Sequence, residues 1–193
     1  QHSKPQTDIV REARELVAQG VREIILIAQD TSIYGRDLGQ RDALPDLLLG
    51  ILASVPELDW LRLMYAYPGH LSRRLIATMA EHPQICHYVD IPLQHGHPDV
   101  LRRMRRPSNV EAIYELVAVL RQAMPDIALR SAMIVGFPGE SEQEFQELLA
   151  FLGRLAFDKV GVFAYSVEDG TAAAQLPGRV PSAVIAERYE RAM

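Results

Sequence analysis

Apolar residues recur along the chain in two alternating rhythms. Over residues 7–19, Val10, Ala13, Leu16 and Val17 fall on one face of a 3.6-residue period, with Thr7 or Asp8 as N-cap and Gly20 as the stop, which predicts a helix. Residues 23–28, EIILIA, are almost unbroken in apolar character, as in a parallel strand buried on both faces, and polar Gln29, Asp30 and Thr31 end the run. The pair of rhythms then repeats. Helices are expected over 44–54, 72–81, 109–123 and 141–152, and strands over 60–65, 88–92, 128–135 and 159–165. Five strands alternating with helices predict a parallel α/β architecture of the barrel or doubly wound kind. Because the chain opens on a helix, a first strand is expected to be missing. Residues 1–167 are read as the domain, and 168–193 as a Gly/Pro/Ala-rich connector running into a terminal helix over 182–193.

Composition narrows this only a little. With 193 residues, 48% of them hydrophobic and 23% charged, the chain reads as a soluble globular domain. A net charge of -5 gives no overall reason to bind nucleic acid. A single cysteine, Cys86, supplies neither a disulfide nor a multi-thiolate metal site, and reads as a small buried filler in a reducing, cytoplasmic setting. The start at Gln1 has neither an initiator methionine nor a signal-peptide pattern, so the chain is expected to be an excerpt.

In parallel α/β folds, ligands gather at the carboxyl ends of the strands. Those ends carry Gln29-Asp30-Thr31, then Tyr65 to Pro68, Gln94-His95, Gly136 to Glu140, and Tyr165-Ser166. At Gly136 and Gly139 a strand breaks ahead of a helix, which suits close approach of backbone to a flat ligand and is also an ordinary strand-to-helix turn. His95 and His97 offer a His-x-His pair that could ligate a metal, although no partnering ligand completes the set. Arg102, Arg103, Arg105 and Arg106 in LRRMRRP read either as a solvated helix end or as a grip for phosphate or an acidic partner. Neither a Ser-His-Asp set nor a phosphate-binding P-loop is present.

Taken in order, AQDTSIYG (28–35), LMYAYP (63–68), DIPLQH (90–95) and IVGFPGE (134–140) resemble the methylthiotransferases of the radical S-adenosylmethionine superfamily, and the likeness extends through VFAYSVEDGT (162–171). The first three motifs differ from those of the tRNA-modifying branch, so the chain is most similar to the branch that methylthiolates the β-carbon of an aspartate on a small-subunit ribosomal protein. The resemblance implies a partial TIM-like (β/α)6 barrel, its first strand and cluster loop missing. It also implies S-adenosylmethionine as cofactor and 4Fe-4S clusters in the parent protein, ligated outside this chain; no metal ligand is expected within it. The cofactor would then be cleaved to methionine and a 5′-deoxyadenosyl radical. Cofactor-binding positions implied by strand-end placement are Gln29, Asp30, Thr31, Gln94, His95, Arg130, Ser131, Gly136, Phe137, Phe163 and Tyr165, with no catalytic residue assigned. Partners would be the ribosomal protein, an electron donor and a sulfur source, without a membrane. Three alternatives stay open: a tRNA adenosine methylthiotransferase, a metal-dependent barrel hydrolase using His95 and His97, and a non-enzymatic fragment.

Overall fold

The computed structural model describes residues 2–193. They form two compact units, one running up to Ile91 and completed by Val119–Ala128, the other made of Pro92–Ala118 and Leu129–Met193. No helix among the described residues is long and apolar enough to cross a membrane.

The first unit contains α1 (Gln6–Ala18), β1 (Glu23–Leu26), α2 (Leu44–Ser54), β2 (Trp60–Leu63), α3 (Arg73–Glu81) and β3 (Tyr88–Asp90). β1 and β2 pair in parallel, Glu23 opposite Trp60 and Leu26 opposite Leu63, and a parallel bridge joins Leu61 to Ile85. α2 packs against both α1 and α3 and buries Leu44, Leu47, Leu48, Ile51 and Leu52 along one broad face. Gly20 ends α1 as expected. At φ +91° it donates its N–H to the Val17 carbonyl while Val21 donates to Leu16, closing the last turn. The start of α1 differs from expectation. Pro5 holds the N-cap position without a side-chain cap, its fixed φ of -55° feeding the helix, so Thr7 and Asp8 lie inside the first turn. β1 is also shorter than its apolar run, because Ile27 and Ala28 lie beyond the ladder and Ile27 is 67% exposed.

The loop after β1 is tied down by the segment that precedes α1. Buried Ser3 donates its backbone N–H (2.7 Å) and its hydroxyl (2.5 Å) to Asp37, while the same hydroxyl accepts from Gly35 N–H at 3.0 Å. The Ser3 hydroxyl is the first cause, and its backbone N–H the second, that holds the Asp37 carboxyl down at about 2. A depressed carboxylate contributes stability that is present above its unfolded pKa near 3.8 and disappears as pH falls toward about 2. Ser3→Ala is expected to move the Asp37 titration, followed by carboxyl NMR, upward toward that ordinary value. An unchanged titration would show that the backbone donor alone sets it.

The second unit contains α4 (Pro98–Arg103), the start of α5 (Val110–Ala123), β4 (Ala128–Val135) from Leu129 on, α6 (Glu142–Leu155), β5 (Lys159–Ala164) and α7 (Ser182–Ala192). β4 and β5 pair in parallel, Arg130 opposite Lys159 and Val135 opposite Ala164. α6 opens with a full capping box, Ser141 and Glu144 each satisfying the other's backbone N–H. It buries Phe145, Leu148, Phe151 and Leu155 and runs three residues beyond the expected end, to a left-handed Ala156. Phe151 lies so close to Gly96 that a Cβ there would sit 2.5 Å from its ring, so only glycine fits. The connector and α7 pack within this unit: Gly139 donates to the Gly178 carbonyl at 2.7 Å, and α7 lies against β5.

Candidate functional site

In the first unit the loop after β1 is a hydrogen-bonded hub. Asp30 caps the short 3-10 turn Thr31–Ile33, accepting from Ser32 N–H at 3.0 Å and from the Ser32 hydroxyl. Its other oxygen faces His70 Nδ1 at 2.8 Å, and the His70 ring lies 4.9 Å from that of Tyr67. Thr31 is 6% exposed and donates its hydroxyl to the Met64 carbonyl at 2.8 Å, stitching the end of β1 to the end of β2. Gln29 is exposed, and no hydrogen bond engages its side chain among the described residues. Of the three expected residues, then, Gln29 is uncommitted, Asp30 is anchored, and Thr31 is structural. An open cavity of about 760 Å³ adjoins them, lined by Ser32, Tyr34, Arg41, Asp42 and His70 among others. Tyr65, at the end of β2, takes φ +58°, a strained conformation for a bulky residue.

The second unit repeats this pattern of strain at a strand end. Gln94 takes φ +77°, its N–H bonded to the Ala132 carbonyl and its carbonyl to Ile134 N–H, both at 2.8 Å. His95 does not reach any open surface: its side chain is fully buried. Nδ1 accepts from His97 N–H at 2.9 Å and is therefore unprotonated, which places the ring hydrogen on Nε2, 3.4 Å from a Glu140 oxygen. That separation is an electrostatic contact, too long for a good hydrogen bond. His97 Nδ1 is likewise occupied, capping α4 by accepting from Asp99 N–H at 3.1 Å. A His97, Asp99 and Glu144 grouping has ligand atoms within 4.8 Å of one another. Its carboxylates already carry guanidinium partners, Arg102 on Asp99 and Arg103 on Glu144, so it offers a cation little net charge.

Arg130 and Ser131 are adjacent on β4 and so face opposite sides of the strand. Ser131 is fully buried, 3.4 Å from Leu93 N–H, whereas Arg130 shares the half-buried face with Ala132 and Ile134. The structure does not bring the two together. On the Arg130 face, Gly161 of β5 leaves an open cradle: a Cβ there would stand 3.3 Å from the Phe163 ring and 4.0 Å from the Arg130 guanidinium. Phe163 pairs with Ile134 across the ladder and is 54% exposed. Tyr165 packs edge-on against buried Phe137 at 5.3 Å, and its hydroxyl oxygen is buried with no hydrogen-bond partner among the described residues. Gly136 is buried at φ +78° and its N–H is taken by Glu140 at 3.0 Å. Glu140, at the end of the glycine turn, meets Arg188 of α7 at 2.8 Å with both side chains buried. The roles of His70 and Arg188 have no signal in the sequence, since each partner lies 40 or more positions away. Cys86 is half-buried beside Arg62; burial pushes its thiol pKa up and the nearby guanidinium opposes this, which leaves it a poor nucleophile.

Residues 1–152 match the radical SAM superfamily. The chain belongs to that superfamily. It is 56% identical over 191 residues to the ribosomal protein uS12 methylthiotransferase RimO of Roseiflexus sp. (strain RS-1), covering 99% of this chain and 40% of that protein. To the protein of the same name from Roseiflexus castenholzii it is 57% identical, covering 96% of this chain and 38% of the relative. The chain thus spans about two fifths of the length of these relatives. Among solved structures, the radical S-adenosylmethionine methyltransferase TsrM from Kitasatospora setae, which contains cobalamin and a [4Fe-4S] cluster, superposes with a TM-score of 0.65. Identity there is 18%, over 83% of this chain and 31% of that one, so the likeness is one of fold. The radical SAM assignment read from the strand-end motifs is borne out, as is an α/β fold with parallel strands.

Proposed function

We propose that this chain is the cofactor-cradling part of a ribosomal protein uS12 methylthiotransferase, a cytoplasmic enzyme that methylthiolates an aspartate β-carbon. The observation that carries this reading is the 56% identity over 99% of the chain, which takes in every strand end described above. S-adenosylmethionine, when bound, supplies the radical chemistry of the superfamily. The residues present fit such a ligand. The Gly161 cradle between Phe163 and Arg130 suits a flat ring with a polar tail, and the unpartnered Tyr165 hydroxyl is a donor in waiting. Within the first unit, Gln29 offers an amide that no hydrogen bond engages among the described residues; within the second, Gln94, Gly136 and Phe137 contribute backbone shape. Asp30, Thr31, His95 and Ser131 act as positioning residues in this reading. An iron–sulfur cluster does not fit the residues present, because Cys86 is the only cysteine in the sequence and a four-iron cluster is held by several thiolates. The partial (β/α)6 barrel and the division at 167/168 belong to the same reading.

The test is genetic and analytical. Mass spectrometry of uS12 from a strain lacking the encoding gene is expected to show loss of a methylthio mark on one aspartate, with tRNA methylthio-adenosine unchanged. Loss of the tRNA mark instead would sink the proposal and favour the tRNA branch.

A further inference from the structure

In the first unit, the open cavity of about 760 Å³ beside the loop after β1 is lined by Ser32, Arg36, Gln40, Arg41, Asp42 and His70 among others. We propose that this cavity binds an acidic peptide segment, with its side-chain carboxylate held by Arg36 and Arg41 and one of its backbone N–H groups donating to His70 Nε2. Resting on the function proposed above, the segment is the one that carries the acceptor aspartate in the substrate protein.

The oriented histidine is the first argument. Tyr67 N–H donates to the Ser32 hydroxyl at 3.2 Å, and that hydroxyl donates in turn to Asp30 Oδ1, which also accepts from Ser32 N–H at 3.0 Å. Asp30 Oδ2 meets His70 Nδ1 at 2.8 Å. A carboxylate only accepts, so Nδ1 carries the ring hydrogen and the neutral imidazole presents a lone pair at Nε2. No hydrogen bond among the described residues engages Nε2, and the side chain is 33% exposed. Contact with the Tyr67 ring, 4.9 Å away between centroids, holds the imidazole a second time. The nitrogen left to the cavity is therefore an acceptor fixed in both tautomer and direction.

Charge is the second. Arg36 and Arg41 are exposed, and no carboxylate among the described residues pairs with either. Asp42 also lines the cavity and accepts from the Ser72 hydroxyl at 2.7 Å, while Asp37, the neighbour of Arg36, is engaged by Ser3. Two guanidiniums against one lining carboxylate leave the site net positive in a chain of net charge -5, and guanidinium forks match carboxylates geometrically. Both arginines stand on pinned backbone. Arg36 lies between Gly35, whose N–H donates to the Ser3 hydroxyl at 3.0 Å, and the Asp37 that the same hydroxyl binds. Arg41 lies between Gln40, whose N–H returns to the Gly35 carbonyl at 3.0 Å, and Asp42, whose carbonyl accepts from Arg74 at 3.2 Å. Backbone fixed in advance lowers the ordering cost of binding.

The match of donors and acceptors is the third. A phosphodiester group brings acceptors alone and would leave His70 Nε2 without a donor, whereas a peptide places backbone N–H groups within a few bonds of an acidic carboxylate. The volume lies in the range of roughly 300–1,000 Å³ that holds whole ligands and not only a single side chain.

The experiment titrates the 15N-labelled 193-residue chain with a blocked tripeptide that has aspartate between glycines, its asparagine counterpart and a short oligouridylate. The aspartate peptide is expected to give saturable amide shifts at Arg36, Gln40, Arg41 and His70, with the asparagine peptide at least tenfold weaker. Arg36→Gln combined with Arg41→Gln is expected to weaken the aspartate peptide by roughly tenfold or more and to abolish the preference, at an unchanged melting temperature. His70→Phe keeps a ring against Tyr67 and removes the acceptor, so it is expected to weaken both peptides by about fivefold while the preference for aspartate persists. Long-range proton–nitrogen spectra of the free chain are expected to place the His70 ring hydrogen on Nδ1. A hydrogen on Nε2, absence of saturable shifts, equal affinity for the two peptides, full binding by His70→Phe, or displacement of the peptide by oligouridylate would each overturn the proposal. None of these outcomes changes which macromolecule loses its methylthio mark in the strain lacking the gene, so the two proposals fail separately.

Discussion

Arg188→Met is expected to destabilise the protein by about 3–5 kcal/mol, the usual cost of removing one partner from a buried ion pair. Glu140 has no side-chain exposure and Arg188 only 5%. Removing the guanidinium takes a 2.8 Å bond from the Glu140 carboxylate and a 3.0 Å bond from the Glu140 backbone carbonyl. What remains to the carboxylate is Gly136 N–H at 3.0 Å and the more distant His95. Water cannot replace the loss in a site this enclosed. The exposed pair Arg22 and Asp59, at 2.5 Å, provides the control, and Arg22→Gln there is expected to leave stability nearly unchanged. Glu140→Gln combined with Arg188→Met removes both charges and is expected to recover much of the loss. Urea denaturation of the four proteins measures this. If Arg188→Met costs no more than Arg22→Gln, the carboxylate is hydrated and the buried-pair description is wrong.

The ion pair also shows where sequence reading stops. Apolar patterning disclosed the five strands of the described residues and most helices, because burial imposes either a short unbroken apolar run or a period of 3.6 locally. It overran β1 at Ile27 and Ala28, since an apolar run does not reveal whether a neighbour exists to pair with it. It also passed over α4, although His97 followed by Pro98 is a cap and first-turn signal that could have located it. Of the strand-end segments that the sequence singles out, two carry left-handed residues, Tyr65 and Gln94. Side-chain direction at those ends was not legible. Arg130 and Ser131 are neighbours in sequence but point to opposite faces of β4, and the complete burial of the His95 side chain beside Glu140 is set by tertiary packing. Asp30 with His70, and Glu140 with Arg188, are pairings between distant segments that composition and spacing do not encode.

The same tertiary coupling makes Gly136 the position least open to change in the glycine turn. Gly136→Ala faces two separate penalties. The backbone sits at φ +78°, which costs a residue with a Cβ about 1–2 kcal/mol. The new methyl would also stand 2.5 Å from Ile185 Cγ1 and 3.0 Å from its Cδ1 and Cγ2, pushing against α7 close to its attachment at Glu140. Overpacking of this kind adds about 1–3 kcal/mol, giving an expected total of about 2–5 kcal/mol. Ile185→Ala separates the two. In the Gly136→Ala background it is expected to remove the steric part and leave the conformational part, so the double variant should be more stable than Gly136→Ala alone despite losing apolar contacts. Because α7 bears the clash directly, limited proteolysis of Gly136→Ala is expected to begin near residues 168–193, and the second substitution should slow it. Equal destabilisation with and without Ile185→Ala would mean that backbone conformation accounts for the whole effect and that α7 yields freely, contrary to its anchoring by Arg188.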